Sequence, residues 1–304
     1  MMSELHPEHS AVDGPRGRLD FNGRTAVITG AGGNPGLGRD YAFLLAARGA
    51  RVVVNDMPGV PNVLESSAHV VAREICEAGA EAIAHAADIS TRSGAESVIG
   101  TAVDKWGRVD ILINNAGIAP QARFADVSVE DIERVLAVHL MGHIWMCRAA
   151  WPWMLNQQYG RIVNISSSTT LTGRLSHPIY VTAKLGIIGL TRALAAEGRA
   201  HGILSNALMP SAVTKGRPWA PAELSTSFVS PVAAFLAHES CDFAGKTITA
   251  GGGHVAENFL SLTRGVDLLL EECSLESVAS RITTVLDRSA AISVDDPTGG
   301  VSPV

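Results

Sequence analysis

The residue types and spacing that could do chemistry are clearest at Tyr180-Val181-Thr182-Ala183-Lys184, with Ser167 thirteen residues upstream. A tyrosine exchanges protons poorly at neutral pH, because its ordinary pKa is about 10. An ammonium close by favours the phenolate and lowers that value. Residues four apart on a helix share a face, so Tyr180 and Lys184 can point into one cleft. The Ser167 hydroxyl can then hold the oxygen that exchanges a proton with the tyrosine. That is the acid–base half of an alcohol–ketone interconversion. An ordinary amphipathic helix with a surface lysine shows the same spacing, so the motif needs support from elsewhere in the chain.

Support comes from the N-terminal region. Thr25-Ala26-Val27-Ile28-Thr29 reads as a buried strand running into Gly30-Ala31-Gly32-Gly33-Asn34-Pro35-Gly36-Leu37-Gly38 and then a helical stretch, 39–48. Strand, glycine turn and helix N-terminus make a pyrophosphate site: glycines let the backbone approach, and the helix amides and dipole favour the anion. A plain glycine-rich turn is the alternative. The next strand, Arg51-Val52-Val53-Val54-Asn55, ends at Asp56. An acid about 20 residues past the glycines suits the adenosine ribose hydroxyls, and so favours NAD over NADP.

The elements that must position these groups follow from the apolar rhythm. From Thr25 to about Ala250 short apolar runs alternate with helical periods, which predicts a doubly wound, Rossmann-type α/β parallel sheet. Strands are expected at 25–29, 51–55, 81–86, 111–114, 161–165, 203–208 and 246–250. Residues 1–20 read as a flexible tail, 21–255 as the single folded domain, and 256–304 as a C-terminal helical extension, with a helix at 275–286 and a Pro/Gly tail from Asp295. Ser128 with Asp131 reads as a capping box, and Ser230 before Pro231 as an N-cap with a first-turn proline. The irregular segment 210–225 reads as a substrate lid or a static surface loop.

Composition bounds the function class. The 304 residues are 46% hydrophobic and 18% charged, which fits a globular protein with a sizeable core. A net charge of −6 without basic runs argues against nucleic acid as a main partner. Cys76, Cys147, Cys241 and Cys273 show neither CxxC spacing nor clustering with histidine, which suggests a reducing compartment and no metal site. The first twenty residues lack the apolar core of a signal peptide, and no stretch reads as about 18 consecutive apolar residues. A cytoplasmic enzyme with no membrane partner is the expectation.

Taken together the motifs resemble the classical short-chain dehydrogenase/reductase family. They are TGAGGNPGLG at 29–38, Asp88 after the third strand, NNAG at 114–117, ISSS at 165–168 and YVTAK at 180–184. Within that family the chain is similar to the hydroxyacyl-CoA dehydrogenase part of the peroxisomal multifunctional β-oxidation enzymes, through VVVND at 52–56, VHLMG at 138–142, RAAWPWM at 148–154, AKLGIIGL at 183–190 and AHESC at 237–241. SLESVASRI at 274–282 is loosely similar to a helix of the family's C-terminal extension.

The resemblance implies Tyr180 as general acid/base, Ser167 as the group orienting the reacting oxygen, and Lys184 as the group that lowers the tyrosine pKa and binds the nicotinamide ribose. It implies NAD contacts from Gly30, Gly36, Leu37, Gly38, Asp56, Asp88, Ile89, Asn115, Ala116, Gly117 and Val213. Asp88 could instead cap the following helix, and Asn114 could serve turn formation alone. Two departures stand out. Asn34-Pro35 is an extra pair within the glycine segment, and the family's proline–glycine pair after strand six is here Pro210-Ser211, which puts Val213 and Thr214 in question. His139 stands where the family usually carries an asparagine, whose backbone carbonyl helps hold a water linking the lysine to solvent. A carbonyl is available from His139 as well, and its imidazole could respond to pH. The other reading is a satisfied buried histidine.

The implied substrate is a small molecule, a 3-hydroxyacyl-CoA thioester or a hydroxysteroid. An NADPH-dependent biosynthetic ketoreductase and a non-catalytic nucleotide-binding protein are the alternatives. Asp56 argues against the first, and the intact Ser167, Tyr180 and Lys184 against the second. Family members commonly pair through helices corresponding to 128–156 and 180–199, so a homodimer or homotetramer is expected. The second helix carries Leu185, Ile188, Leu190 and Leu194. Trp151 and Trp153 read as interface or core.

Overall fold

The computed structural model describes residues 17–59, 66–214, 221 and 223–294. Most of the expected N-terminal tail, Pro218 and Trp219 of the expected lid, and the tail from Asp295 lie outside the described residues.

Alternation within single strands explains the layers. In β1 (Thr25–Ile28) and β2 (Arg51–Asp56), Ala26, Ile28, Val52 and Val54 point into one core and Val27 and Val53 into the other. Strands covered on both faces become continuous apolar runs. The first core is closed by α1 (Leu37–Ala47), α2 (Ser67–Glu77) and α8 (Ser230–Leu236), with Tyr41, Leu45 and Ile75 fully buried. The second is closed by α3 (Arg92–Trp106) and α5 (Gly142–Gln157), through Ile99, Met146 and Met154.

Among the described residues the main sheet also holds β3 (Ala82–Ala86), β4 (Ile111–Asn114), β5 (Gly160–Ile165), β6 (Ile203–Pro210), β7 (Thr247–Gly251) and β8 (His254–Asn258). The order is β3-β2-β1-β4-β5-β6-β7-β8, parallel except for β8. Val27 sits opposite Val53 on one side and Leu112 on the other. The connections therefore reverse direction between β1 and β4, and that reversal opens a crevice at the carboxyl ends of the strands.

β8 was not anticipated. It turns back from β7 through Gly252 and Gly253, both at positive φ (58° and 81°), and pairs antiparallel with it. The sheet thus continues past residue 255 to Asn258. Beyond it come α9 (Leu275–Val285) and a small ribbon of β9 (Ser261–Leu262) and β10 (Ile292–Ser293). Ser128 caps α4 (Val129–Leu136) as expected, its Oγ accepting from the Asp131 amide at 3.1 Å. Ser230 does not cap α8: it is the first helical residue, and its hydroxyl donates to the Thr226 carbonyl at 3.0 Å. A preceding 3₁₀ turn, Thr226–Phe228, carries the chain into that helix.

α7 (Pro178–Gly198) and the following 3₁₀ turn form 24 residues apolar enough, by length and composition, to cross a membrane, which no run in the sequence had suggested. The helix instead packs beside β5 and β6, with Ile187, Thr191 and Ala195 buried.

Candidate active site

The crevice at the β1/β4 reversal is a cleft of about 740 Å³. Its floor is the glycine turn. Gly30 has φ +62°, and a Cβ there would lie 2.6 Å from Ala116 Cα, so only glycine fits. Gly30, Gly36 and Leu37 line the cleft, as does Gly33. Gly38 lies beneath it: a Cβ there would meet Asn115 Nδ2 and the Gly30 carbonyl, so its part is close helix–strand packing. Asn34-Pro35 forms the bend before α1 and places Pro35 in the wall. Asp56, at the end of β2, accepts the Gly32 amide at 2.7 Å and the Met57 amide at 2.8 Å. The carboxylate thereby fixes the glycine turn from the side while facing the cleft.

Asp88 and Ile89 line the same end. Asp88 Oδ1 accepts the Ser90 amide at 2.9 Å, while the cap of α3 is Thr91. Asn115, Ala116 and Gly117 pass along the wall. Asn115 Nδ2 donates to the carbonyls of Thr29 and Gly30, both at 3.0 Å, stitching β4 to β1. Asn114 is buried outside the cleft, where its Nδ2 donates to Asn164 Oδ1 at 2.9 Å. Val213 is not among the lining residues; Ala212 and Thr214 on either side of it are, and the Val213 amide donates to the Leu224 carbonyl at 2.7 Å.

At the other end Ser167, Tyr180 and Lys184 meet, brought together by the end of β5 and the first turns of α7. Ser167 Oγ accepts from the Thr169 hydroxyl at 2.9 Å and lies within hydrogen-bonding reach of the phenol. Ser166 is buried and donates to the Lys184 carbonyl at 2.8 Å; Ser168 starts the short helix α6 (Thr169–Thr172). Lys184 Nζ donates to the Ile165 carbonyl at 2.6 Å and stands 5.8 Å from the Tyr180 ring centroid.

The electrostatics differ from the sequence expectation. Burial pushes the Tyr180 pKa up, against the Ser167 hydrogen bond and the Arg174 guanidinium, which pull it down. Burial also drops the Lys184 ammonium to about 7. Desolvation disfavours the charged form of both groups and is the largest influence on each. From the sequence, His139 reads either as an imidazole that could respond to pH or as a satisfied buried histidine. Burial, then the nearby Lys184 charge, hold it at about 3, so it stays a neutral imidazole.

His139 sits in a π-helical turn, Ala137–Met141, between α4 and α5. Such turns redirect side chains inside a long helix. Its ring packs edge-on against Tyr180, with centroids 5.0 Å apart, and Nε2 is tied to Ile118, 3.0 Å from the amide nitrogen and 2.5 Å from the carbonyl oxygen. Two further residues flank the phenol unannounced by the sequence reading. His177 stands edge-on to it at 6.2 Å, and Arg174 lines the cleft beside it. His177 lies three residues before Tyr180, one helical turn away; that spacing was the available signal.

The family model described as short chain dehydrogenase matches residues 24–217, and that range contains every element of this cleft. The chain belongs to the short-chain dehydrogenase family. It is 38% identical over 288 residues to peroxisomal multifunctional enzyme type 2 of Drosophila melanogaster, covering 90% of this chain and 47% of that one. The full-length structure of that enzyme superposes with a TM-score of 0.75. A short chain dehydrogenase from Mycobacterium avium superposes with a TM-score of 0.78 at 35% identity, over 87% of this chain and 95% of that one. A hydroxyacyl-CoA dehydrogenase of Mycobacterium tuberculosis is 38% identical over 205 residues, covering 64% of this chain and 63% of its own length. The chain thus spans about half of the Drosophila relative. As a family member it is an oxidoreductase that uses a nicotinamide dinucleotide. The glycine turn fits such a group, since Cβ atoms at Gly30 and Gly36 would fill the space against the neighbouring backbone.

Proposed function

We propose that the chain is an NAD-dependent dehydrogenase that interconverts a 3-hydroxyacyl-CoA and its 3-ketoacyl thioester. The observation that carries the reading is the convergence of Ser167, Tyr180 and Lys184 at one end of a cleft whose other end holds Asp56. The name of the Mycobacterium tuberculosis relative supports the thioester. Asp56 would accept the adenosine ribose hydroxyls and repel a 2′-phosphate, which supports NAD. The nicotinamide, when bound, supplies the hydride acceptor.

The protein's own residues handle the proton. Ser167 orients the substrate oxygen, and Tyr180 exchanges the proton with it. Lys184 stands 5.8 Å from the Tyr180 ring centroid, with its ammonium held at about 7 by burial. The form of Tyr180 that accepts the hydroxyl proton is the phenolate, and an ammonium at Lys184 favours it. His139 and His177 brace the phenol ring edge-on. We also propose a homo-oligomer formed through α5 and α7: Leu185 is 54% exposed and Trp153 stands at the surface, whereas Trp151 and Leu194 pack on the core. A reducing, cytoplasmic setting suits the four cysteines, all of them free. The test is turnover by purified protein with NAD or NADP against 3-hydroxyacyl-CoAs and hydroxysteroids. Turnover of hydroxysteroids alone, or with NADP alone, would overturn the reading.

A further inference from the structure

Arg134, on the last turn of α4, and Arg174, just past α6, both line the cleft, and both are exposed. Neither has an ion-pair or hydrogen-bond partner among the described residues. Glu130 and Asp131 lie one turn from Arg134 on the same helix, yet form no salt bridge with it. Elsewhere the protein pairs many of its arginines: Arg24 with Asp110 and Glu239, Arg51 with Glu81, Arg92 with Glu96, Arg281 with Glu272.

The placement of charge in the cleft is uneven. Its lining acids, Asp56 and Asp88, belong to the glycine-turn end. Arg174 acts on the Tyr180 phenol, so it stands at the reacting end. Arg134 lies one turn before Ala137 and Val138, which line the wall next to His139, and α4 packs against α7. In a chain of net charge −6, two unpaired guanidinium groups therefore face the substrate side of the cleft. Guanidinium groups bind phosphate and carboxylate through paired N–H donors, and they gain most where no protein carboxylate competes.

We infer that Arg134 and Arg174 form an anion subsite at the substrate end of the cleft, receiving the phosphate groups of the CoA thioester. The inference rests on the hydroxyacyl-CoA reading. It assigns these two residues to substrate selection: they favour a thioester carrying phosphates over the same acyl group on a neutral carrier.

The test compares three substrates with one acyl chain length: the 3-hydroxyacyl-CoA, the neutral N-acetylcysteamine thioester, and an N-acetylcysteamine thioester whose acyl chain ends in a carboxylate. Inhibition by free CoA is measured alongside. The readout is the ratio of kcat/KM for the CoA thioester to that for the neutral one, in which any general loss from disturbing Tyr180 cancels. In the Arg134→Gln/Arg174→Gln double variant this ratio should fall about tenfold or more, with a parallel rise in the free-CoA inhibition constant, as expected from losing charge-assisted hydrogen bonds. Arg134→Lys/Arg174→Lys should recover part of it. An unchanged ratio and inhibition constant would overturn the subsite while leaving the dehydrogenase reading intact. Dependence on the arginines confined to the chain-end carboxylate would also overturn it, placing the anion on the acyl chain. Arginine-dependent inhibition by CoA without turnover of any thioester would uphold the subsite and overturn the proposed reaction.

Discussion

Gly117→Ala puts the packing behind Tyr180 to a quantitative test. A Cβ at position 117 would lie 2.3 Å from His139 Cε1, 3.1 Å from Nδ1 and 3.3 Å from Nε2. The imidazole cannot swing away freely: it is buried, held to Ile118 through Nε2, and packed edge-on against the phenol. Overpacking of this kind costs about 1–3 kcal/mol, and breaking the Ile118 tie adds roughly 1 kcal/mol. Gly117→Ala alone should therefore lower unfolding stability by about 2–4 kcal/mol. Shortening the ring away in His139→Ala leaves room for the new methyl group, so the two changes should be less harmful together than summed, with a coupling of about 1–3 kcal/mol. Urea unfolding of the four proteins without nucleotide measures the cycle. Single-variant effects that add to within about 0.5 kcal/mol would refute the contact. So would a Gly117→Ala protein as stable as the parent.

Four further outcomes are expected. Tyr180→Phe, which keeps the ring, should fold normally and lose about 10²–10⁴ in kcat; near-normal turnover in the folded variant would remove the proton-transfer assignment. Lys184 has a folded pKa of about 7 against an ordinary 10.5, so the unfolded chain binds more protons between those values, and stability should rise with pH across that window. Lys184→Met should flatten the rise, and parallel pH–stability curves for the two proteins would contradict the burial argument. Asp56→Asn should weaken NAD binding about tenfold and narrow the preference over NADP; cofactor titration by fluorescence reads both. His139→Asn, which keeps a polar side chain, should retain more activity than His139→Leu, and identical kcat and pH–rate profiles in all three proteins would reduce the position to packing.

The central fold was legible because strands buried on both faces leave uninterrupted apolar runs. Ile111-Leu112-Ile113 fell where expected, and Arg51-Val52-Val53-Val54 differed only in ending one residue later, at Asp56. β8 was not legible: His254-Val255-Ala256-Glu257-Asn258 is an edge strand, mostly exposed and polar, and only its pairing with β7 makes it a strand. The site divided the same way. Spacing along a helix foretold that Tyr180 and Lys184 share a cleft. Val213 does not line the cleft, and its amide is bound to Leu224; a sequence does not show which residues of a loop will face a cleft. Arg134 and Arg174 were invisible because they come from separate elements, and a sequence does not show which charged groups will find no counter-ion. The upward push on the Tyr180 pKa was not legible because a motif does not reveal burial.

The reversal of strand order between β1 and β4 also bears on how the chain assembles. β1, β2 and β3 are neighbours in sequence and in the sheet, so they can zip together through short crossovers. Ala26, however, must find Ile111, 85 residues further on, before the sheet can extend through β5 to β8. Closing a loop of that length is entropically slow. The cleft exists only where those two halves meet, through contacts such as Asn115 with Thr29 and Gly30. Dinucleotide binding is thus a signal that the two halves have joined. Because the ligand recognises only the joined state, saturating nucleotide should raise the melting temperature.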